Sequence, residues 1–420
     1  MLIFLLLSTF HFSNAQKLVE KPFQPKDSHA PKEYALAWAD EFNAFQLDTT
    51  EWFYRDGIDR QMTIMAQENV ILDHDNLNIV CQAGQFRAHP EVYRVKEGKD
   101  FFNQKGGGVI SEWRFREGYF EARCKMLNAP LWHPAFWLER ANSNPENNSL
   151  KTFTTYSEID IMETEPNHAT WQSIRVHDWV SGGEHRKIPI KVKENDWGRT
   201  YCTDQHGEWF VWGMKLTHEK AMFYENDSLV ATVEIPEDYV RDARNIILSC
   251  LSIKSPKESG IQKFDWVRFY EPETMRASTT KECENLIQHT SIVGKDIFDT
   301  KVEKASGGYC QNIVNAKKGD FIRYRVYISE KGKYNIKLGY LPQKQAQGTW
   351  NLSIDGVAQG EEIDQKGKAK FKSFDLGEKT FDRVGFHEFK FEMDVANGTT
   401  GSGTFDYLEV TKLDPEITKK

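Results

Sequence analysis

The sequence has little of what a metal centre, a membrane anchor or a nucleic-acid binder needs. Six cysteines, at 81, 124, 202, 250, 283 and 310, occur with no Cys-x-x-Cys pair and no Cys/His cluster of zinc spacing, which excludes the common zinc and thiol-redox motifs. After the first fifteen residues no run of about twenty apolar side chains occurs, so no membrane span is expected. Positive charge is not in excess: the formal net charge is −8, whereas a nucleic acid demands a basic face. Segments of helical period are scarce as well. Short apolar runs broken by Gly, Asn, Asp and Pro, such as Leu77-Asn78-Ile79-Val80 and Ile246-Ile247-Leu248-Ser249, predict an all-β chain.

What is present begins with a leader. Residues 1–15 are rich in Leu, Ile and Phe, too short to span a bilayer, and end in Ser13-Asn14-Ala15 before Gln16, which reads as a cleaved secretory signal. Export to an extracellular or periplasmic space is therefore expected, and it permits disulfides. Cys283 and Cys310 are the pair to consider for one, against two buried thiols. The chain holds 420 residues and is 13% aromatic, with 12 Trp, more than one ordinary domain and ample material for cores. Flat aromatic faces also suit stacking on sugar rings.

The stretch around which the chain is organised is Glu158-Ile159-Asp160-Ile161-Met162-Glu163. On a regular strand, faces alternate with period two, so Glu158, Asp160 and Met162 share one face and Glu163 falls among core residues. An unpaired carboxylate there costs several kcal/mol or loses its charge. One extra residue at Ile161 or Met162, a β-bulge, turns Glu163 onto the face of the other two acids. Three carboxylates on one wall suit retaining glycoside hydrolysis, where two carboxyl groups roughly 5–5.5 Å apart flank the scissile bond. The bland alternative is a solvent-facing strand whose acids keep it soluble.

The motif Glu-x-Asp-x-x-Glu at Glu158, Asp160 and Glu163 resembles that of glycoside hydrolase family 16. Four other stretches agree in order: Trp38 to Phe42; Gly106 to Ser111 with Gly118 to Arg123; Pro134 to Leu138; and Phe264 to Tyr270. The resemblance implies a jelly-roll sandwich over residues 33–272, with Glu158 as nucleophile, Asp160 as assisting acid and Glu163 as acid/base. It requires no cofactor. Many members carry a structural calcium, for which Asp265 is the candidate. Substrate contacts are expected from Trp137, stacking beside the cleavage point, and from His177, tuning Glu163 from the next strand. Trp132, with His133 at a rim, Trp171 and Arg175 are weaker candidates, as are Trp113 and Trp179.

Residues 273–281 read as a linker to a second, smaller β-sandwich over 282–413 that resembles carbohydrate-binding modules of the family 6 type. Tyr309, Tyr340 and Trp350 are its candidate sugar platform. The whole predicts a monomeric, exported, endo-acting hydrolase of a polysaccharide. Tyr156-Ser157 ahead of the motif resembles carrageenan- and agar-type enzymes, so a β-linked galactan is the expected substrate, with Arg114, Arg116, Arg175 and Arg186 available for sulfate. The alternatives are a β-1,3-glucan such as laminarin, or a glycan-binding protein without activity.

Overall fold

The structure is a computed structural model that describes residues 25–413, apart from 56, 60–62, 88–100, 126, 128, 141–156, 165–170, 180–184, 188–190, 193–198, 202–207, 237–238, 240–242, 253 and 293–295. The expected signal, Tyr156 and Cys202 lie outside those residues.

The described chain is almost wholly β. Its first half is a jelly-roll sandwich of two antiparallel sheets. The front sheet contains β1 (Trp52–Tyr54), β2 (Phe101–Phe115), β3 (His133–Glu139), β4 (Ser157–Thr164), β5 (Trp171–Trp179) and β6 (Arg244–Leu251). Their spatial order is β5-β4-β3-β6-β2-β1. In the back sheet Gly260–Pro272 lies between Tyr34–Asp40 and Gly118–Lys125, and Trp209–Leu216 continues beyond the latter. Between the sheets, Phe136, Leu138, Ile159, Ile174, Val176, Ile246 and Leu248 from the front meet Phe120, Trp212, Phe223 and Phe269 from the back.

Close packing within the front sheet explains the run Gly106-Gly107-Gly108 on β2. A Cβ on Gly106 would come within 2.2 Å of the Cys250 carbonyl oxygen, and one on Gly108 within 2.8 Å of Ser249 Cβ, so only glycine lets β2 lie against β6.

The segment expected as a linker is built into the structure. Glu273–Ala277 forms a short helix, α1, whose buried Arg276 pairs with Glu271 at 2.7 Å and also donates to the Leu36 carbonyl. Thr280–Glu282 then pairs with the last strand, Gly401–Lys412. The second half is a β-sandwich with a core of its own, and its strands alternate: Phe321–Ile328 and Gly385–Asp394 bury every other residue.

The two sandwiches are joined by more than the chain. Strand Ile287–Thr290 pairs with Phe321–Ile328 and makes one register contact, Gln288 to Arg114, with β2, so the front sheet runs into the second domain. Around that seam Arg325 pairs with Glu51 at 2.7 Å, His289 lies 3.3 Å from Glu112, and Arg116 pairs with Asp299. Trp113 has the guanidinium of Arg325 4.2 Å from its ring centroid and the His289 ring edge-on at 5.7 Å. Burial, with Arg323, Arg114 and Arg325 nearby, pushes the His289 imidazole down to about 3, so it is neutral.

Candidate active site

β4 carries a bulge where the acid spacing requires one. Against β3, Asp160 faces Trp137 and Met162 faces Phe136, leaving Ile161 as the additional residue; against β5, the register slips between Asp160 and Glu163. Ile161 and Met162 are both fully buried in the core, and the chain returns Glu163 to the other face. Residues opposite in register share a face. Glu158 is flanked by Glu139 and His177, Asp160 by Trp137 and Arg175, and Glu163 by Ala135 and Ser173. The three acids thus line the face of the front sheet turned away from the core.

Each acid has its own setting. Glu158 is half-buried. Asp160, 1% exposed, lies 3.1 Å from His177 Nε2. Glu163, 7% exposed, contacts His133 Nε2 through Oε1 at 2.8 Å and Arg175 Nε through Oε2 at 3.4 Å. His177 therefore attends Asp160 and not Glu163, because its register partner is Glu158, one row from Asp160 and two rows from Glu163. His133, expected as a rim residue, is the imidazole at Glu163. The potential ligand atoms of Glu158, Asp160 and His177 lie within 4.8 Å of one another, the cluster of metal-ligating spacing among the described residues.

Trp137 sits on the acid face in a small apolar patch with Ile110, Ala135 and Ile247. Its indole Nε1 donates to Ser249 Oγ at 3.1 Å, Arg55 Nη1 donates to the same oxygen at 3.0 Å, and the guanidinium lies 5.0 Å from the ring centroid. Sequence reading missed Arg55 and Ser249. Ser249 was within reach, since alternation from Ile247 puts it on the acid face; Arg55 lies past the end of β1 and carried no signal.

Several expectations are corrected. Trp132 is buried in the main core with its Nε1 donating to the Glu258 carbonyl at 2.8 Å, so it offers no surface to substrate. Trp113, Arg114 and Arg116 are buried at the domain seam and are no sulfate cluster. Ser157 is buried too, its Oγ accepting from Arg244 Nε at 3.0 Å, so it is a packing residue of the front sheet. The side chains of Trp171, Trp179 and Arg186 lie outside the described residues. Trp350 is fully buried in the second core, edge-on to Phe405 at 5.2 Å, and Tyr340 is buried; of the expected sugar platform only Tyr309 reaches the surface in part. Cys283 and Cys310 are free and buried.

Asp265 is paired with Arg123, so its charge is already met. A different acidic group in the second domain is not. Around Ser306-Gly307, Glu282 Oε1 accepts from Ser306 Oγ at 2.8 Å and Asp406 Oδ1 from Ser306 N at 3.0 Å, while Glu284 Oε1 lies 2.6 Å from where a Gly307 Cβ would stand. Glu282 Oε2 and Glu284 Oε2 are sealed from solvent without a hydrogen-bond partner. Burial raises all three carboxyls, Glu284 to about 8.

No protein-family model matches the chain. A curated relative, glucan endo-1,3-beta-glucosidase A1 of Niallia circulans, is 25% identical over 198 residues, which cover 42% of this chain and 26% of the relative. The chain thus spans about a quarter of that relative's length. Similar solved structures include LamAcat from Zobellia galactanivorans (19% identical, 56% of this chain and 97% of that one, TM-score 0.46) and the laminarinase catalytic domain of Thermotoga maritima (14%, 57% and 98%, 0.42).

Proposed function

We propose that this chain is an exported, endo-acting retaining glycoside hydrolase of the family 16 type whose substrate is a β-1,3-linked glucan. The observation that carries the reading is the β4 bulge: it is what sets Glu158, Asp160 and Glu163 on one face, each with a distinct environment. In the proposed reaction Glu163 gives its proton to the departing glycosidic oxygen while a Glu158 oxygen bonds to the anomeric carbon. Water then attacks that carbon, its proton passes to Glu163, and Glu158 leaves as a carboxylate, so configuration is retained. Asp160, held by His177, lies between the two and orients Glu158. The glucan is favoured over a galactan by the relative of 25% identity.

The test is product release from laminarin, mixed-linkage glucan, agarose, porphyran and κ-carrageenan, with the anomeric configuration read by proton NMR. β-Configured oligomers from laminarin that vanish in Glu158→Gln are expected. Oligomers from a galactan alone would overturn the substrate, and unchanged release by Glu158→Gln the mechanism.

The structural calcium suggested by the resemblance finds no support at Asp265, whose carboxylate is paired with Arg123.

A further inference from the structure

The proton that the proposed reaction needs has a definite home. His133 Nδ1 lies 2.6 Å from the Thr164 carbonyl oxygen, which can only accept, so Nδ1 carries a hydrogen. A neutral imidazole has one N–H, which leaves Nε2 as a lone pair facing Glu163 Oε1 at 2.8 Å. An ionised carboxylate is also acceptor-only. Two acceptors do not make a bond of that length, so the contact contains a proton, either on Glu163 as the acid or on His133 as the imidazolium.

We propose that Glu163 and His133 act as one acid/base unit, with His133 as a positioning residue that keeps the catalytic proton available to Glu163. This rests on the glycosidase reading of the site. In the first step the unit loses its proton to the glycosidic oxygen as the C–O bond breaks and the bond from Glu158 to the anomeric carbon forms. Glu163 is then a carboxylate beside a neutral His133, and its negative charge faces Arg175, 3.4 Å from Oε2. In the second step water bonds to the anomeric carbon, Glu158 leaves, and the water's proton restores the unit.

The surroundings fit a retained proton. From β4 itself Asp160 and Glu158 face the unit and favour the protonated form; from β5 Arg175 opposes it, and His177 is engaged with Asp160. β3 adds Glu139 two rows away, β6 brings the uncharged Ser249 and Leu251 beside Ala135 and His133, and Arg55, bonded to Ser249 from beyond the end of β1, opposes the proton as Arg175 does. His133 and Glu163 are both more than nine-tenths buried as residues, so water does not take over the role.

The experiment compares the protein with His133→Gln on laminarin and on 2-chloro-4-nitrophenyl β-laminaribioside, whose leaving group needs no proton, and follows His133 by nitrogen NMR. On laminarin, kcat falls on the order of 10²-fold, the lower end of what a positioned proton donor contributes, whereas the glycosylation rate on the aryl glycoside changes by only about threefold. The alkaline limb of kcat/KM for laminarin moves at least about one pH unit lower, since a glutamine stabilises ionised Glu163 and holds no exchangeable proton for it. Equal losses on both substrates with an unmoved alkaline limb would reduce His133 to a packing residue. The NMR arm needs neither substrate nor a folded His133 variant. In the wild type the Nδ1–H tautomer is seen at high pH, and Glu163→Gln lowers the His133 titration by about one unit or more, as loss of an adjacent carboxylate requires. A His133 titration unchanged by Glu163→Gln overturns the proposal. If NMR shows the coupling but laminarin is not cut, the shared proton stands and the glucanase reading falls.

Discussion

Arg325→Met should unseat the second domain from the first. Arg325 and Glu51 pair across the seam at 2.7 Å, with side chains 16% and 10% exposed. Glu51 Oε2 accepts from Trp38 Nε1, and Oε1 from Arg325. Removing the guanidinium leaves a buried carboxylate with half of its partners, and removing one member of a buried pair costs about 3–5 kcal/mol. The residual exposure places the expectation near the lower figure, about 3 kcal/mol. The double variant Glu51→Gln/Arg325→Met should recover much of the loss, because Gln keeps an acceptor for Trp38 and leaves no charge to desolvate. Urea unfolding followed by tryptophan fluorescence reads this directly, since Trp113, Trp38 and Trp52 lie close to the seam. The single variant should show an early transition that the parent and the double variant lack. Equal midpoints for all three, within about 0.5 kcal/mol, would refute the claim that the seam is an energetic coupling and not mere contact.

Acid and alkali should loosen the second domain through different groups. His289 has its folded value lowered from 6.5 to about 3, so the unfolded chain binds the extra proton below pH 6.5 and stability falls on acidification, by up to about 1.4 kcal/mol per pH unit. Glu284 has its folded value raised from 4.5 to about 8, so its contribution is fully present below 4.5 and is lost as pH rises toward 8. Tm should therefore be highest between about pH 4.5 and 6.5, where the two slopes cancel. Glu284→Gln should flatten the fall between about pH 6.5 and 8, and an unchanged alkaline slope in the variant would show that another group sets it. Ser249→Ala strips the common acceptor from Trp137 and Arg55, so laminarin KM should rise several-fold with kcat little changed, and a fall in kcat alone would show that Trp137 does not bind ground-state substrate.

Much of this was legible because the governing patterns are local. The period of two in Phe321-Ile322-Arg323-Tyr324-Arg325-Val326-Tyr327 marks the strand Phe321–Ile328, and the conflict between that period and Glu163 marks the bulge. What the sequence did not show were relations between distant strands. Trp132 and Trp137 are both Trp in the same stretch, yet one plugs the core with Phe136 and Leu138 and the other lies on the acid face, because they stand five residues apart and a period of two sends such a pair to opposite faces. The role of His133 was hidden for a related reason: it meets Glu163 diagonally, one row beyond Glu163's partner Ala135, and the bulge itself shifts which row that is. Trp350 looked like a sugar platform because an exposed and a buried Trp in a sandwich strand differ only in which face is core, and its neighbours Leu352 and Ile354 on the same parity point to the core.

The bulge also explains why three acids are tolerated on one strand at all. Ile161 and Met162, one of them the extra residue, are both buried in the same hydrophobic interior, so packing holds Glu163 to its row alongside its contacts to His133 and Arg175. Deleting Ile161 removes the extra residue and leaves Glu163 two positions after Asp160, so regular alternation alone keeps all three acids on one face. The deletion should therefore cost about 2–5 kcal/mol of stability for the lost buried side chain yet keep measurable laminarin hydrolysis, which Glu163→Ala should not. If the deletion variant folds and hydrolysis is lost as completely as in Glu163→Ala, the bulge sets the depth and spacing of Glu163 against His133 and Arg175 and not only the face it lies on.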